Sequence, residues 1–503
     1  PEAIPVPTPG AYPSTLREIG RVEPDFAQRR SMVREQVTAA ARAEGLEADI
    51  DDALLDEVTA LVEWPKALLA RFDPEFLEVP AEVLIETMRS HQKYFPVRDA
   101  EGALAPRFVA VANIESHDPS QVVAGNERVI RPRFADAKFF WEQDLKTPLE
   151  AALERLDGVV FQDKLGSVGD KGRRIAKLAR SMARMTGHDP EPVARAGLLA
   201  KCDLVSTMVF EFPALQGVMG RYYAARGGES PEVATAIEEH YLPRFAGDRL
   251  PTGPCGRLVA LADRLDTLVG VFGVGLRPTG TKDPYGLRRS AIALLRILIE
   301  TPIDLDLAEL LDEAVAGYPA GVIAAGTAGD ALAYVLERLT GYYQDQGIAS
   351  DVVESVLATG ATNAHLIDLR ARAVAEFRGS TAATSLSAAN KRIRNILQKA
   401  DYGSHSGSTS PDPGLFQDTA EKDLWARISV VEEIVRPLLD ARDYPAALTA
   451  LASLRSDVDR FFDEVLVMAD DAQVRTNRHA LLGRLIALFQ DVADISKLQP
   501  EAV

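Results

Sequence analysis

The residues best equipped for chemistry in this sequence are clustered lysines and arginines, and the chemistry they suit is phosphate recognition. Between Asn126 and Arg184 there are 13 Lys/Arg against 9 Asp/Glu, a local +4 in a 503-residue chain of formal charge −18. Arg128, Arg131 and Arg133 alternate around Pro132, and Lys171, Arg173, Arg174, Lys177 and Arg180 follow a Gly-rich turn. Thr381–Ala400 carries Lys391, Arg392, Arg394 and Lys399 with no acid. A solvated helix face explains any one cluster. Three of them in an acidic protein point to an extended RNA or DNA partner. In Pro278-Thr-Gly-Thr-Lys-Asp-Pro-Tyr-Gly-Leu-Arg-Arg289, Asp283 before Pro284 predicts a helix start. Its amides, flanked by Lys282, Arg288 and Arg289, would form an anion site.

Catalytic motifs are scarce. Leu165-Gly-Ser-Val-Gly-Asp-Lys-Gly172 lacks the Gly-Lys-Ser/Thr spacing of a phosphate-cradling loop, and neither Gly-x-Ser-x-Gly nor His-Glu-x-x-His occurs. His117-Asp118 and His188-Asp189 are each followed by Pro, which reads as turn chemistry. The helical stretch Ala194–Arg296 is similar to an HD-type domain, with Cys202-Asp203 where the His-Asp pair would fall, His240 on a helix, and Asp263 at the later Asp position. Cys202 in place of the histidine removes a metal ligand, so this domain is expected to be degenerate. A metal-dependent phosphohydrolase using His240, Asp203 and Asp263 is the rival reading, and a scaffold for a partner subunit is a third.

The elements that must position these residues are mostly helices. The composition, 47% hydrophobic and 26% charged, is globular, and the length suits roughly three domains. Two cysteines, Cys202 and Cys255, exclude a disulfide framework and suggest a reducing compartment. No apolar run approaches the roughly 18 residues of a membrane span, and the Pro-Glu-Ala-Ile opening has neither Met nor a leader pattern. Helices are predicted over Asp25–Gly45, Asp52–Glu63 and Pro80–Met88, and strands over Gln92–Val97 and Arg107–Ile114 around an Asp99-Ala-Glu-Gly102 turn. Beyond about residue 120 the period is helical. Leu258, Ala262, Leu265, Val269 and Phe272 form one stripe, and Leu448, Leu451, Leu454, Val458, Phe461 and Val465 another. That stripe makes Phe461 a core residue rather than a stacking platform. Asp401–Gly414 reads as a flexible loop.

The motifs Leu61-Val-Glu-Trp-Pro65, His91-Gln-Lys-Tyr-Phe-Pro96, Gly125-Asn-Glu-Arg-Val-Ile-Arg-Pro-Arg133, Phe161-Gln-Asp-Lys-Leu-Gly166, Lys201-Cys-Asp-Leu204, Gln216-Gly-Val-Met-Gly220 and Arg475-Thr-Asn-Arg478 occur in order. Together with the Pro278–Arg289 string they resemble the beta subunits of bacterial heterotetrameric glycyl-tRNA synthetases over essentially the whole chain. The resemblance implies a further N-terminal region ahead of the Pro-rich opening. It also implies a mainly α multidomain fold: a connector at 1–14, a mixed α/β remainder of a phenylalanyl-tRNA-synthetase-beta-like region at 15–150, a degenerate HD-like helical domain at 151–300, a helical linker at 301–384, and an all-helical anticodon-binding-like domain at 385–503.

By the same resemblance the chain is a cytoplasmic, tRNA-binding subunit with no catalytic residue and no metal of its own. ATP and Mg2+ are implied at an alpha subunit, in an alpha2-beta2 assembly that acts on tRNA(Gly) away from any membrane. Candidate anticodon-side contacts are Lys391, Arg392, Arg394, Arg475, Asn477 and Arg478. Candidate contacts elsewhere on the tRNA, or at the subunit interface, are Arg128, Arg131, Arg133, Lys171, Arg173, Lys282, Arg288 and Arg289.

Overall fold

Aspartates placed before apolar-periodic runs open the first helices, because a carboxylate there satisfies amides that lack an intrahelical acceptor. In the computed structural model, which describes residues 3–399 and 410–499, Asp25 accepts from the Gln28 amide at 3.0 Å ahead of α1 (Phe26–Arg42). Asp51 accepts from Leu54 at 3.0 Å ahead of α2 (Asp52–Leu61). The helix expected over Pro80–Met88 is α3 (Ala81–Glu86), continued by a wider turn through Gln92. The strand expected from Gln92 therefore starts only at Phe95.

Four antiparallel strands make a sheet in the order β1 (Glu47–Ala48), β3 (Phe95–Arg98), β4 (Leu104–Ala112) and β2 (Lys66–Arg71). The predicted Asp99–Gly102 turn joins β3 to β4. Gly102 takes φ +82°, which suits glycine, and the Asp99 carboxylate accepts from the Glu101 and Ala103 amides at 3.1 and 2.8 Å. Strand β2 was not expected from the sequence. Lys-Ala-Leu-Leu-Ala-Arg has helix-forming residue types, yet it pairs with β4 from Lys66↔Ala112 to Arg71↔Arg107, so sheet context overrides local propensity.

Helix α4 (Pro119–Asp144) presses Ile130, Phe134, Ala137 and Trp141 into the core, with Phe134 edge-on to Phe72 at 4.9 Å. That periodicity turns Arg128, Arg131 and Arg133 to solvent. At its C-terminal end the Asp144 carboxylate accepts from the Thr207 and Met208 amides at 2.9 Å each and from the Tyr223 hydroxyl at 2.8 Å. Met208, Phe212, Leu215, Met219 and Tyr223 join the same core.

The chain forms two compact units. One unit comprises 1–160, 167–169 and 199–238, and the other 161–166, 170–198 and 239–503. The second unit is helical around α7, counted after α5 (Val168–Met185) and α6 (Pro190–Leu199). Helix α7 (Pro254–Gly273) buries the expected stripe and most of its remaining surface too. It is followed by α8 (Leu287–Glu300). Further along come α9 (Thr381–Lys399), α10 (Thr419–Asp440), α11 (Tyr444–Ala452), α12 (Arg455–Glu464) and α13 (Ala472–Gln490). The apolar stripe predicted over Leu448–Val465 is buried throughout, but two helices share it, with the break at Ser453–Leu454. Residues 401–409 of the expected loop lie outside the described residues. Among the described residues no helix is long and apolar enough to cross a membrane.

Replacing Asp144 by Ala orphans two amides and a buried hydroxyl. A loss of about 2 kcal/mol is expected, seen as a lower urea midpoint for the transition followed by Trp141 fluorescence. Trp141 stacks on Tyr223 at 5.4 Å.

Candidate nucleic-acid interface

The structure separates the candidate cations into those spent inside the protein and those left for a partner. Lys171 is inside. From α5 its ammonium reaches Asp263 Oδ1 at 2.8 Å, Asp266 Oδ2 at 3.2 Å and Thr267 Oγ1 at 2.7 Å, all on α7, and lies 4.8 Å from the Phe161 ring centroid. Burial opposes the charge, but the two carboxylates outweigh it and hold the lysine pKa above its ordinary value. Arg174 also pairs with Asp266, at 2.6 Å, and stacks over Tyr318 at 4.1 Å. Lys171, expected as a tRNA or subunit-interface contact, is a buried ammonium with four oxygen partners inside the protein. Arg173, two residues on and on the opposite face of α5, is exposed and paired with Asp170 at 3.2 Å.

Sequence reasoning missed Arg264. Buried next to Asp263 on α7, its guanidinium donates to the carbonyls of His240, Ala260, Tyr241, Leu242 and Pro243 at 2.7–3.1 Å. Burial pushes its pKa down to about 10, against the pull of Asp263, which leaves it charged at neutral pH. Only the Ala262-Asp-Arg264 charge pair inside an apolar helix could have signalled it.

The HD-like positions fall as follows. Cys202 and Asp203 belong to the first unit, and His240 and Asp263 to the second. His240 is buried but stands in the turn after its helix, not on the helix as expected. Asp263 is bonded to Lys171. Asp203 Oδ2 accepts from the Gly217 and Gly220 amides at 2.6 and 3.0 Å, and burial raises its pKa to about 6 against those two bonds. Among the described residues no group of three or more His, Cys, Asp or Glu side chains is arranged to hold a metal. Asp118 and Asp189 accept from the Ser120 and Glu191 amides at 3.1 and 3.0 Å, each just before a helix, so they act as helix caps where surface turns were expected.

At the C-terminal end Arg478 is also inside, 4% exposed. It grips Glu421 at 2.7 Å, Asp418 at 2.8 Å and the Leu466 carbonyl at 2.7 Å. Burial pushes the Glu421 carboxyl up, but Arg478 and the Gln417 and Asp418 amides more than reverse this and hold it below the usual range. Asn477 exchanges two hydrogen bonds with the Asp412 backbone, and Arg475 donates to the Ala469 carbonyl at 2.6 Å. The Arg475–Arg478 motif therefore ties α13 to the start of α10 and to the segment before α13. Asn477 and Arg478, expected as anticodon-side contacts, direct these polar groups to internal partners and clasp the elements together.

On α9, Lys391 and Arg392 are exposed. The Arg392 guanidinium lies over the ring of the half-buried Phe462, 4.3 Å from its centroid. Lys391 lines a hollow of about 200 Å³ with Arg378 and Ser387. Arg394 is half-exposed and pairs with the buried Asp494 at 2.9 Å. Phe461 is fully buried, as its stripe required.

The Pro278–Arg289 string departs from expectation. Helix α8 begins at Leu287, not near Asp283, after Gly286 at φ +64°. The Asp283 carboxylate accepts from the Leu287 and Arg288 amides at 2.8 and 2.9 Å. Those two amides, expected to be available to an anion, are thus taken by the Asp283 carboxylate. Lys282 and Arg289 are exposed, and Arg288 donates to the Gly280 carbonyl. Arg128, Arg131, Arg133, Arg289, Lys282, Lys391 and Arg392 thus remain outward-facing without an ion pair among the described residues.

A family model described as glycyl-tRNA synthetase beta subunit matches residues 1–358, and one described as a DALR anticodon binding domain matches 386–498. The glycine–tRNA ligase beta subunit of Marinobacter nauticus is 50% identical over 499 residues, covering 99% of this chain and 72% of that protein. That of Aeromonas salmonicida is 50% identical over 488 residues, covering 97% and 70%. That of Pseudomonas putida is 48% identical over 498 residues, covering 99% and 72%.

Two outcomes follow from the inside/outside division. Arg478→Met strands two carboxylates in the protein and is expected to cost about 3–5 kcal/mol of stability, whereas Arg128→Glu changes it by less than about 0.5 kcal/mol; urea denaturation compares them. For Asp203 the folded pKa of about 6 lies above the unfolded carboxylate value. The folded state therefore binds the proton more tightly, and stability falls as pH rises from about 4 to 6. Relative to Asp203→Asn, the parent protein should gain roughly 1 kcal/mol between pH 7 and pH 5, measured as the difference between their denaturation curves.

Proposed function

Because the chain belongs to the glycyl-tRNA synthetase beta subunit family, we propose that it is the tRNA-binding half of an enzyme whose alpha subunit makes the glycyl-adenylate. A beta-subunit role in glycyl-tRNA synthesis comes with the family. ATP and Mg2+ act on this reading at the alpha subunit, in a cytoplasmic alpha2-beta2 assembly that holds tRNA(Gly). The observation that carries the reading is the anticodon-binding match at 386–498, within which Lys391 and Arg392 stand outward and free of acids. Arg392, whose planar guanidinium rests over Phe462, suits phosphate or an unpaired base.

Arg128, Arg131 and Arg133 on α4, with Lys282 and Arg289, are the second set of proposed contacts, to RNA or to the alpha subunit. Arg173, Arg288 and Arg394 are retained as weaker candidates because each already serves a neighbour. Arg475 keeps only the part of its guanidinium that the Ala469 carbonyl does not use.

Glycylation of tRNA is expected from a mixture of this chain with the alpha subunit and from neither alone. Glycine-dependent ATP–pyrophosphate exchange by the isolated chain would refute the division of labour. The double reversals Arg128→Glu/Arg131→Glu and Lys391→Glu/Arg392→Glu should each weaken tRNA(Gly) binding at least ten-fold at 0.1 M salt. Each should also lower the slope of log affinity against log salt by about two. Full affinity in both doubles would instead assign the chain a scaffold role.

A further inference from the structure

Phe245 is 63% exposed. A single exposed aromatic ring needs no explanation, but the setting of this one is built. The five hydrogen bonds from Arg264 pin the carbonyls of residues 240–243, apart from the one it makes within α7, so Arg244 and Phe245 leave from a fixed base. Phe245, with Pro243, Ile292 and Ala293, lines a hollow of about 180 Å³ whose other walls include Arg244, Arg288, Arg289 and Arg296. Arg288, Ile292 and Arg296 share one face of α8 through their four-residue spacing.

Acids near this hollow are already engaged. Asp248 accepts from the Arg244 and Arg249 amides at 2.8 Å each, Asp283 holds the start of α8, and Glu300 pairs with Arg296 at 2.8 Å. Arg288 gives one nitrogen to the Gly280 carbonyl. Arg244 and Arg289 are exposed and have no ion pair among the described residues. An apolar ring on a fixed turn, inside a rim of guanidinium groups, supplies the two things an unpaired nucleotide requires: a face for the base and cations for its flanking phosphates. A helix of a partner protein would have to set apolar side chains against four arginines, and duplex RNA hides its base faces.

Resting on the tRNA-binding reading above, we propose that the Phe245 hollow is a stacking subsite for one unpaired nucleotide of the bound RNA, with Arg244 and Arg289 on the adjoining phosphates. The experiment uses the intact chain in complex with its alpha subunit. Phe245→Ala should weaken tRNA(Gly) binding about ten-fold, the equivalent of 1.4 kcal/mol, while leaving affinity for a blunt, fully paired RNA duplex unchanged. Phe245→Trp should keep tRNA affinity, and its fluorescence should be quenched at saturating tRNA but not at saturating duplex.

An Ala variant within two-fold of the parent, or a tryptophan unquenched at saturation, would overturn the subsite. Quenching by the alpha subunit without RNA would overturn it too, and would mark a protein-docking surface. Absence of tRNA binding by the unmodified complex would defeat the functional reading itself, so the two failures are distinguishable. Because Phe245 is exposed, neither substitution disturbs a core.

Discussion

Helix α7 imposes the governing constraint: it carries Asp263, Arg264 and Asp266 within about one turn of a mostly apolar, largely buried helix. Uncompensated charges there would be prohibitive, so neighbours must arrive with complementary groups at set positions. Lys171 and Arg174 of α5 answer the two aspartates, and the carbonyls of residues 240–243 answer Arg264. These polar bonds fix which element meets α7 and in what register, a selectivity that apolar packing supplies less sharply. The close approach of Gly270 to Tyr318 belongs to the same neighbourhood, since a Cβ there would collide with the Tyr318 hydroxyl, which itself donates to the Asp266 carbonyl.

A chain with net charge −18 can still engage RNA if its cations are sorted by location. Lys171, Arg174, Arg264 and Arg478 are consumed inside, where they lock elements together. Arg128, Arg131, Arg133, Lys391 and Arg392 face water on long helices, and a phosphate meeting them need not displace an internal partner. Desolvation decides the sorting: a guanidinium that has already exchanged its water for carboxylates and carbonyls gains nothing from a further anion it cannot reach.

Much of the helical architecture was legible because its signals are local. Asp25, Asp51 and Asp118 cap the helices they precede, and the Asp99–Gly102 turn closes its hairpin through bonds within five residues. Strand β2 was illegible because its residues favour helix and only pairing with β4 makes them extended. The start of α8 was misplaced because Asp283 caps from four residues away, across a glycine turn, and not from the adjacent position.

Length, composition, capping aspartates and ordered motifs determined the helical class, the hairpin and the family, since each of these is written in residues close together or in order along the chain. Which cations are available to a partner was decided by tertiary structure alone. Lys171 and Arg478 look as basic in sequence as Arg128 and Lys391. They differ because chain segments 92 or 57 residues away bring carboxylates to them where both are buried.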